Sequence, residues 1–425
     1  MTPVATGSVK KNQKKHTIDE LPRQFPTPEM TPEPASQTTA TDNASPDPSY
    51  QLNVFNYKFD DNSYFLKHKA CLVVRGDLVP ANGKRTHADT FATCTARVMF
   101  TFMAYFDLDA RHLDGVNAFL NSFLDKDEII YCFFPDGFKQ PFKVMRLLCA
   151  LYGLLRSSYL WLRELTETLK SLGFKSVLED VCLLTNGRII IFFYVDDIVV
   201  LNRPEHRHEV NEVVLKLKAK YEIRDLGDLQ WFLNIRISRD RARQCVYLTQ
   251  DAYIDKIVKQ YSLSTSSDVY SPLSRDASAY KPFCDGVATK TEIKRFQARV
   301  GSLIYLAFMT HPDITHAVSL LARFMQNPSP FHSAEADRVI CYLRDLKDLS
   351  LVYDGSISMN SLTLFKAYSD AAYADDPTTH HSSEGYLFSL FEGPVDWKAE
   401  RQSTVITLTT EAELLALSHA AKELY

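Results

Sequence analysis

Residues 1 to about 50 are rich in Pro, Thr, Ser and Lys and show almost no aliphatic periodicity. Such a stretch cannot bury enough surface to offset its ordering entropy, so residues 1–52 read as a disordered head, with order beginning near Tyr57. Beyond it the apolar pattern changes period repeatedly. Lys69 to Arg75 (KACLVVR) predicts a strand, Arg97 to Phe106 a buried helix, and Phe106 to Leu113 a short strand that gives way to a turn. Leu160, Trp161, Leu165, Leu169 and Leu172 recur at helical spacing, predicting an amphipathic helix over Tyr159–Leu172 with Gly173 as its stop. Ile189–Val195 and Ile198–Leu201 are β-rich runs interrupted only by Asp196-Asp197, a hairpin signal with both acids at its tip. Helices follow over Glu209–Tyr221 and Tyr247–Tyr261, with a strand over Leu233–Ser238 between them. From Leu362 the pattern is strand, turn, strand, turn, strand, then a helix from Thr410. No internal repeat interrupts this order.

Strands and helices mixed without regular alternation predict an α+β protein, and 425 residues suggest two or three domains. Composition is that of a soluble chain with a sizeable core: 45% hydrophobic and 24% charged. A net charge of -4 argues mildly against nucleic-acid partners, yet charge is unevenly spread. Lys139, Lys143, Arg146, Arg156 and Arg163 occur with no acid among them, which by itself reads as a solvated helix face. The eight cysteines lie at no ligand-like spacing, so free thiols in a reducing compartment are expected, and no zinc. The start lacks a signal-peptide core, and the Lys10-Lys11 and Lys14-Lys15 pairs read as a solubilising basic run rather than a nuclear address. The most apolar run, Ile189–Val195, is too short to cross a bilayer. An intracellular protein is expected, cytoplasmic or nuclear and not secreted.

Two adjacent acids beside an apolar sheet repel one another and lose hydration unless a cation lies between them. Magnesium (or manganese) suits Asp196 and Asp197, because a hard ion binds one or two carboxylates and keeps sites for phosphates. A third carboxylate would be needed to hold two ions about 4 Å apart for phosphoryl transfer. The candidate is Asp114, at the end of the short strand. Taken singly, the pair also reads as ordinary turn chemistry, and Asp114 as a turn or N-cap residue.

Taken together these residues carry a resemblance. Tyr194-Val195-Asp196-Asp197 looks like the YVDD box of reverse transcriptases, and LDGVNAFLNSFLDKDEIIYCFFPDGF resembles the copia-type block DVKTAFLNG…IYMEQPPGF, in the form seen in fungal elements. LCALYGLLRSSYLWLRELTETLKSLGF, DLGDLQWFLNIRISRD, LTQDAYIDKIVKQY and GSLIYLAFMTHPDITHAVSLLARFMQNPS follow in that family's order. The resemblance implies a right-hand polymerase (fingers, palm, thumb) over residues 53–275, a connection over 276–361 and a truncated ribonuclease H-like α/β domain over 362–425. It implies Asp114, Asp196 and Asp197 as the metal-binding catalytic triad. An RNA template, a DNA primer and deoxynucleoside triphosphates would be the partners. Phe119, Tyr194, Lys69, Arg75 and Arg156 are the implied substrate contacts, Phe119 as an aromatic that could exclude a 2′-hydroxyl. In the last block, Tyr368–Asp375 is similar to YSDADWAGD, and Asp370 with Glu413 would be metal ligands. Thr410 and Glu413 also have capping-box spacing, which would occupy the same carboxylate.

Departures from the family pattern predict weakened chemistry. Cys71 replaces the arginine expected to fork onto the triphosphate, Arg156 and Ser158 replace Gln and Pro, and the tryptophan-rich opening shrinks to Asn56-Tyr57-Lys58-Phe59. The family's later ribonuclease H block is missing before Tyr425, so that activity is expected to be absent. The readings left are an impaired reverse transcriptase and a silent remnant that at most binds nucleic acid. A viral RNA replicase fits less well, having no hybrid for a ribonuclease H to degrade.

Overall fold

A computed structural model of the chain describes residues 51–59, 65–79, 83–135, 137–263, 268–275, 279–356 and 364–424. The expected head therefore lies outside the described residues, except Gln51 and Leu52, which already belong to a strand. In chain order the first elements are β1 (Gln51–Phe59), β2 (Phe65–Val74), α1 (Thr93–Tyr105), β3 (Asp109–Gly115), β4 (Tyr131–Cys132), β5 (Met145–Arg146) and α2 (Ser157–Ser171). Next come β6 (Lys175–Ser176), β7 (Leu183–Thr185), β8 (Ile189–Tyr194), β9 (Asp197–Asn202), α3 (Arg207–Lys220), β10 (Ile223–Asp228), β11 (Trp231–Phe232) and β12 (Ile235–Asp240). Then follow β13 (Cys245–Thr249), α4 (Asp251–Gln260), α5 (Lys290–Met309), α6 (Thr315–Ala322), α7 (Pro330–Asp345) and β14 (Leu351–Asp354). The last are β15 (Phe365–Ala372), β16 (Ser383–Leu390), β17 (Gly393–Arg401) and α8 (Thr409–Glu423).

These elements form two compact units, one of residues up to 88 with 117–165, the other of 89–116 with 166–425. In the first, β1 and β2 pair as an antiparallel hairpin, as do β4 and β5. Its small core gathers Val74, Ile130, Cys132 and Leu154. Close backbone approach makes this possible. The Val74 amide donates to the Tyr152 carbonyl at 2.8 Å, and a Cβ on Gly153 (φ +91) would meet the Val74 carbonyl oxygen at 2.0 Å. Only glycine fits there.

The second unit is built on a six-stranded sheet of order β10-β3-β9-β8-β7-β6, in which every neighbouring pair is antiparallel. Its central strands are apolar on both faces: Ile189, Ile191, Phe192, Phe193, Ile198, Val199, Val200 and Leu201 are all buried. α1 buries Ala96, Met99, Phe100, Met103 and Ala104, the spacing of one helical face, and the Phe100 ring sits edge-on to Phe192 and Phe232. A four-stranded sheet, β11-β12-β13-β14, and a helical layer follow. In that layer Ile254, Phe296, Leu303, Leu321 and Ile340, from α4 to α7, share one core. The chain closes with the antiparallel sheet β15-β16-β17 and α8, whose Ala412, Ala416 and Ala420 are buried.

Several expected boundaries move. The helix expected over Tyr247–Tyr261 is two elements, because Cys245, Val246 and Leu248 pack as strand β13 and only Asp251 onward is helical. Leu233 and Asn234 are not strand residues: both have positive φ (49° and 57°), the pattern of a tight hairpin turn between β11 and β12. β3 begins at Asp109 rather than Phe106, since Phe106 C-caps α1. The basic stretch is no helix face at its start. Lys139 and Lys143 lie in the β4–β5 loop, and Arg146 on β5.

Candidate active site

The acids singled out in the sequence meet at one end of the six-stranded sheet. Asp114, next to last on β3, is the register partner of Asp197 on β9 and of Arg224 on β10. Directly opposed residues in antiparallel strands project to the same face, with Cβ atoms about 5 Å apart, so Asp114 and Asp197 are neighbours. The turn differs from expectation by one residue. β8 closes onto β9 through the pair Tyr194↔Asp197, leaving Val195 and Asp196 as a two-residue turn, so Asp196 alone sits at the tip. Val195 has φ +56°, a left-handed conformation that costs a β-branched residue about 1–2 kcal/mol. The turn is also tied sideways, since the Gly115 amide donates to the Asp196 carbonyl at 2.8 Å.

Each of the paired carboxylates leans on a basic side chain. His112 Nε2 lies 3.1 Å from Asp197 Oδ1, and Arg224 Nη1 lies 3.8 Å from Asp114 Oδ2. Neither acid is deeply buried, Asp114 being 28% and Asp197 34% exposed, whereas His112 is only 10% exposed. His112 was missed as a site residue, although strand alternation places it on the same face as Asp114. Among the described residues no group of three or more His, Cys, Asp or Glu side chains is gathered closely enough to hold a metal ion.

Each of the remaining candidates has surroundings of its own. Phe119 is 8% exposed and its ring packs edge-on to Tyr152 at 4.7 Å, the core arrangement of an aromatic. Tyr194, half-buried, lines a cavity of about 850 Å³ with Phe91, Asn234, Tyr305 and Trp397. Lys69 sits on β2 opposite Asn56, and its side chain is outside the described residues. Arg75 forks onto Asp77, with bonds of 2.9 and 2.6 Å. Arg156 is buried and engaged by Asp125 at 2.8 Å, by Glu128 and by the Arg85 carbonyl at 3.1 Å. Its guanidinium is therefore committed to a structural ion-pair cluster rather than presented to solvent, and the acids it serves come from another part of the chain. Asp370 and Glu413 are both exposed, and no hydrogen bond or ion pair joins them. The capping box at Glu413 does not form either: α8 is capped by Leu408 without a side-chain bond, and the Thr407 amide turns to Glu411 at 3.4 Å.

The sequence family described as reverse transcriptase (RNA-dependent DNA polymerase) matches residues 46–275, more than half of the chain. The chain belongs to this family. Its relatives include copia-type transposon proteins of plants and yeast. The Retrovirus-related Pol polyprotein from transposon TNT 1-94 of Nicotiana tabacum is 29% identical over 87% of this chain and 28% of its own length. That from transposon RE1 of Arabidopsis thaliana is 30% identical over 87% of the chain and 25% of its own length. A transposon Ty5-1 protein of Saccharomyces cerevisiae is 32% identical over 73% of the chain and its own entire length. The chain thus spans about a quarter of the plant polyproteins it matches. Members of this reverse transcriptase family generally use divalent metal ions and bind a template and primer. No helix among the described residues is long and apolar enough to cross a membrane.

The strand that presents Asp114 is tied to β10 and to α3 through one arginine. Arg111 on β3 donates from Nε to Asp225 Oδ1 at 3.0 Å and from Nη1 to Asn211 Oδ1 at 2.6 Å. The Arg111 bond, with the Gly227 amide and Lys218 adding to it, holds the Asp225 carboxyl down at about 2. A carboxyl so depressed contributes stability fully above its unfolded value near 4 and loses it as pH falls through about 2. Because Asp225 is partly reached by water, the contribution is about 1–2 kcal/mol. Asp225→Asn is expected to remove it, lowering stability at pH 7 while leaving the pH 2–4 limb of urea-unfolding profiles flatter than in the parent. An equally steep acid limb in the variant would refute the assignment.

Proposed function

We propose that this chain is the polymerase portion of a copia-type Pol polyprotein, extending a DNA primer on an RNA or DNA template with deoxynucleoside triphosphates as substrates. The observation that carries the reading is the Asp114↔Asp197 register pair beside the strained Val195-Asp196 turn. These three acids offer hard oxygen donors on one sheet end, which suits magnesium or manganese. Bound there, such ions would acidify the primer 3′-hydroxyl and offset the charge of the leaving pyrophosphate. His112 is the group that would hold the Asp197 carboxylate in place, and Arg224 the one that would moderate the charge of Asp114. Tyr194 would form the floor beside the primer end.

The domain reading stays as proposed: a right-hand polymerase over residues 53–275, a connection over 276–361 and a ribonuclease H-like portion over 362–425. Support for the last is the run of three antiparallel strands followed by α8. Eight free cysteines fit a reducing intracellular compartment.

A silent remnant is the second reading, favoured by Cys71 and by the commitment of Arg156 to its ion pairs. Primer extension on an RNA template separates the two. Incorporation that requires added magnesium and stops with a chelator is the expected result, at a rate held down by Cys71. A thiol offers neither permanent charge nor a fork, so Cys71→Arg is expected to raise the rate about a hundredfold. No incorporation by either protein would establish the remnant.

A further inference from the structure

In the first unit, exposed aromatics and cations occur together in and beside the loop between β4 and β5. Two tight turns shape this loop: the Phe138 amide donates to the Pro135 carbonyl at 3.0 Å, with Gly137 at φ +87°, and the Lys143 amide donates to the Gln140 carbonyl at 3.3 Å. Between them the loop turns its aromatics outward. Phe138 is 73% exposed, and Phe142, at the left-handed φ of +60°, is fully exposed. Phe133 is exposed nearby, and with Phe142, Lys139, Lys143 and Val144 it lines a depression of about 430 Å³. A bulky residue in a left-handed conformation with no core contact contributes nothing to packing, and such strain collects at binding sites.

Charge identifies the occupant. Lys139, Lys143 and Arg146 are all exposed, and no acid occurs from residue 137 to 163. Among the described residues Lys143 and Arg146 take part in no ion pair, in contrast to Arg156 and Arg163, which serve Asp125. The nearest acid in sequence, Asp136, is outside the described residues. Exposed rings interleaved with cations complement a chain of stacked bases and phosphates, and the rings can be reached only by bases not already paired in a duplex. An apolar protein partner would be poorly served by exposed cations within the patch, of which Lys143 and Arg146 take part in no ion pair among the described residues.

We infer that the β4–β5 loop is a stacking platform for single-stranded nucleic acid, with Phe138 and Phe142 as base contacts and Lys139, Lys143 and Arg146 as phosphate contacts. In a template-copying protein its ligand is the unpaired strand, so the inference rests on the proposed function for its biological meaning. Its test does not depend on catalysis.

The full chain is titrated with a short fluorescent oligouridylate and, separately, with a blunt RNA–DNA hybrid, following anisotropy over a range of salt concentrations. Phe138→Ser with Phe142→Ser is expected to weaken oligouridylate binding about tenfold or more while the hybrid is bound within twofold of the parent. Lys139→Gln, Lys143→Gln and Arg146→Gln together are expected to make the salt dependence shallower by about 2 in log–log slope. Melting midpoints of both variants should match the parent, since every changed side chain is exposed. Asp196→Asn, which is expected not to extend primers, should bind the oligouridylate as the parent does, so loss of polymerase activity and loss of the platform remain separate results. The inference is overturned if the parent does not bind oligouridylate, if the aromatic variant binds it normally, or if both probes weaken equally. It is also overturned if the parent is a dimer that the aromatic variant dissociates with RNA affinity unchanged.

Discussion

Asp114→Asn and Asp196→Asn are each expected to lower nucleotide incorporation by about three orders of magnitude or more, with the folded state unharmed. Asparagine preserves shape and removes charge. The Asp114 carboxylate faces its register partner Asp197, and its basic neighbour, Arg224, is 3.8 Å away. Two like charges so placed repel, and the substitution relieves that repulsion, so stability should be unchanged or slightly higher. If the acids hold metal ions as a unit, loss of any one costs nearly as much as loss of all, which is why the effect on rate is large and non-additive. The double variant should therefore be no slower than either single one beyond about tenfold. Urea unfolding beside primer extension checks both halves. An Asp114→Asn chain that still incorporates within tenfold of the parent would sink the polymerase reading of this site. A His112→Ala chain gives a finer comparison. Without its contact at 3.1 Å, Asp197 keeps its charge and loses its orientation, so kcat should fall by less than in the aspartate variants and KM for the triphosphate should move little.

What could be read from the sequence, and what could not, follows from the range over which each feature is encoded. β8 and β9 were legible because uninterrupted apolar runs flank a polar pair, and α2 because its five apolar positions keep helical spacing up to a glycine with φ +94°. Where the deciding contact is tertiary, local pattern failed. The stretch from Cys245 to Gln260 carries an apolar residue every few positions, and only pairing of β13 with β12 and β14 divides it into strand and helix. The turn was misplaced by one residue because Val195 accepts a conformation that β-branched residues avoid, and propensity argues against it. Resemblance identified the acids, and the register then made two of them neighbours. It could not reveal that Arg156 is spent on Asp125 and Glu128, which lie about thirty positions earlier, or that Phe119 is packed against Tyr152. His112 was within reach, because a polar residue two positions before a candidate ligand on a strand shares its face.

Arg97→Met is expected to destabilise the chain by about 3–5 kcal/mol, as much as truncating a large core side chain. Arg97 sits in the apolar helix α1, where an arginine is out of place by pattern, and it is 1% exposed. Its fork is fully engaged within the second unit. Nε donates to the Val395 carbonyl at 2.6 Å, Nη1 to those of Phe308 at 2.7 Å and Met309 at 3.4 Å, and Nη2 to Asp396 Oδ1 at 3.1 Å. The Trp397 ring lies 4.0 Å from the guanidinium carbon, and its own Nε1 donates to the Ala307 carbonyl at 2.8 Å. Burial pushes the Arg97 pKa below its ordinary range, with Asp396 among the groups acting against that. One side chain thus joins α1, the end of α5 and β17. Methionine fills comparable space and takes the donor from three carbonyls, each a desolvation cost, and from Asp396 Oδ1, although Asp396 Oδ2 still accepts from the Tyr386 hydroxyl at 3.1 Å. Arg97→Lys should recover only part of the loss, because an ammonium cannot reach the same acceptors in a planar fork. Hydrogen exchange locates the effect: amides of β16 and β17 should lose protection first, while those of β8 and β9 keep theirs until global unfolding. Were Arg97→Met within about 1 kcal/mol of the parent in urea, the guanidinium would be a passenger in the fold, and the attachment of β15–β17 to α1 would rest on apolar and aromatic contacts, those of Val98 with Val395 and of Tyr105 stacked on Phe391 among them.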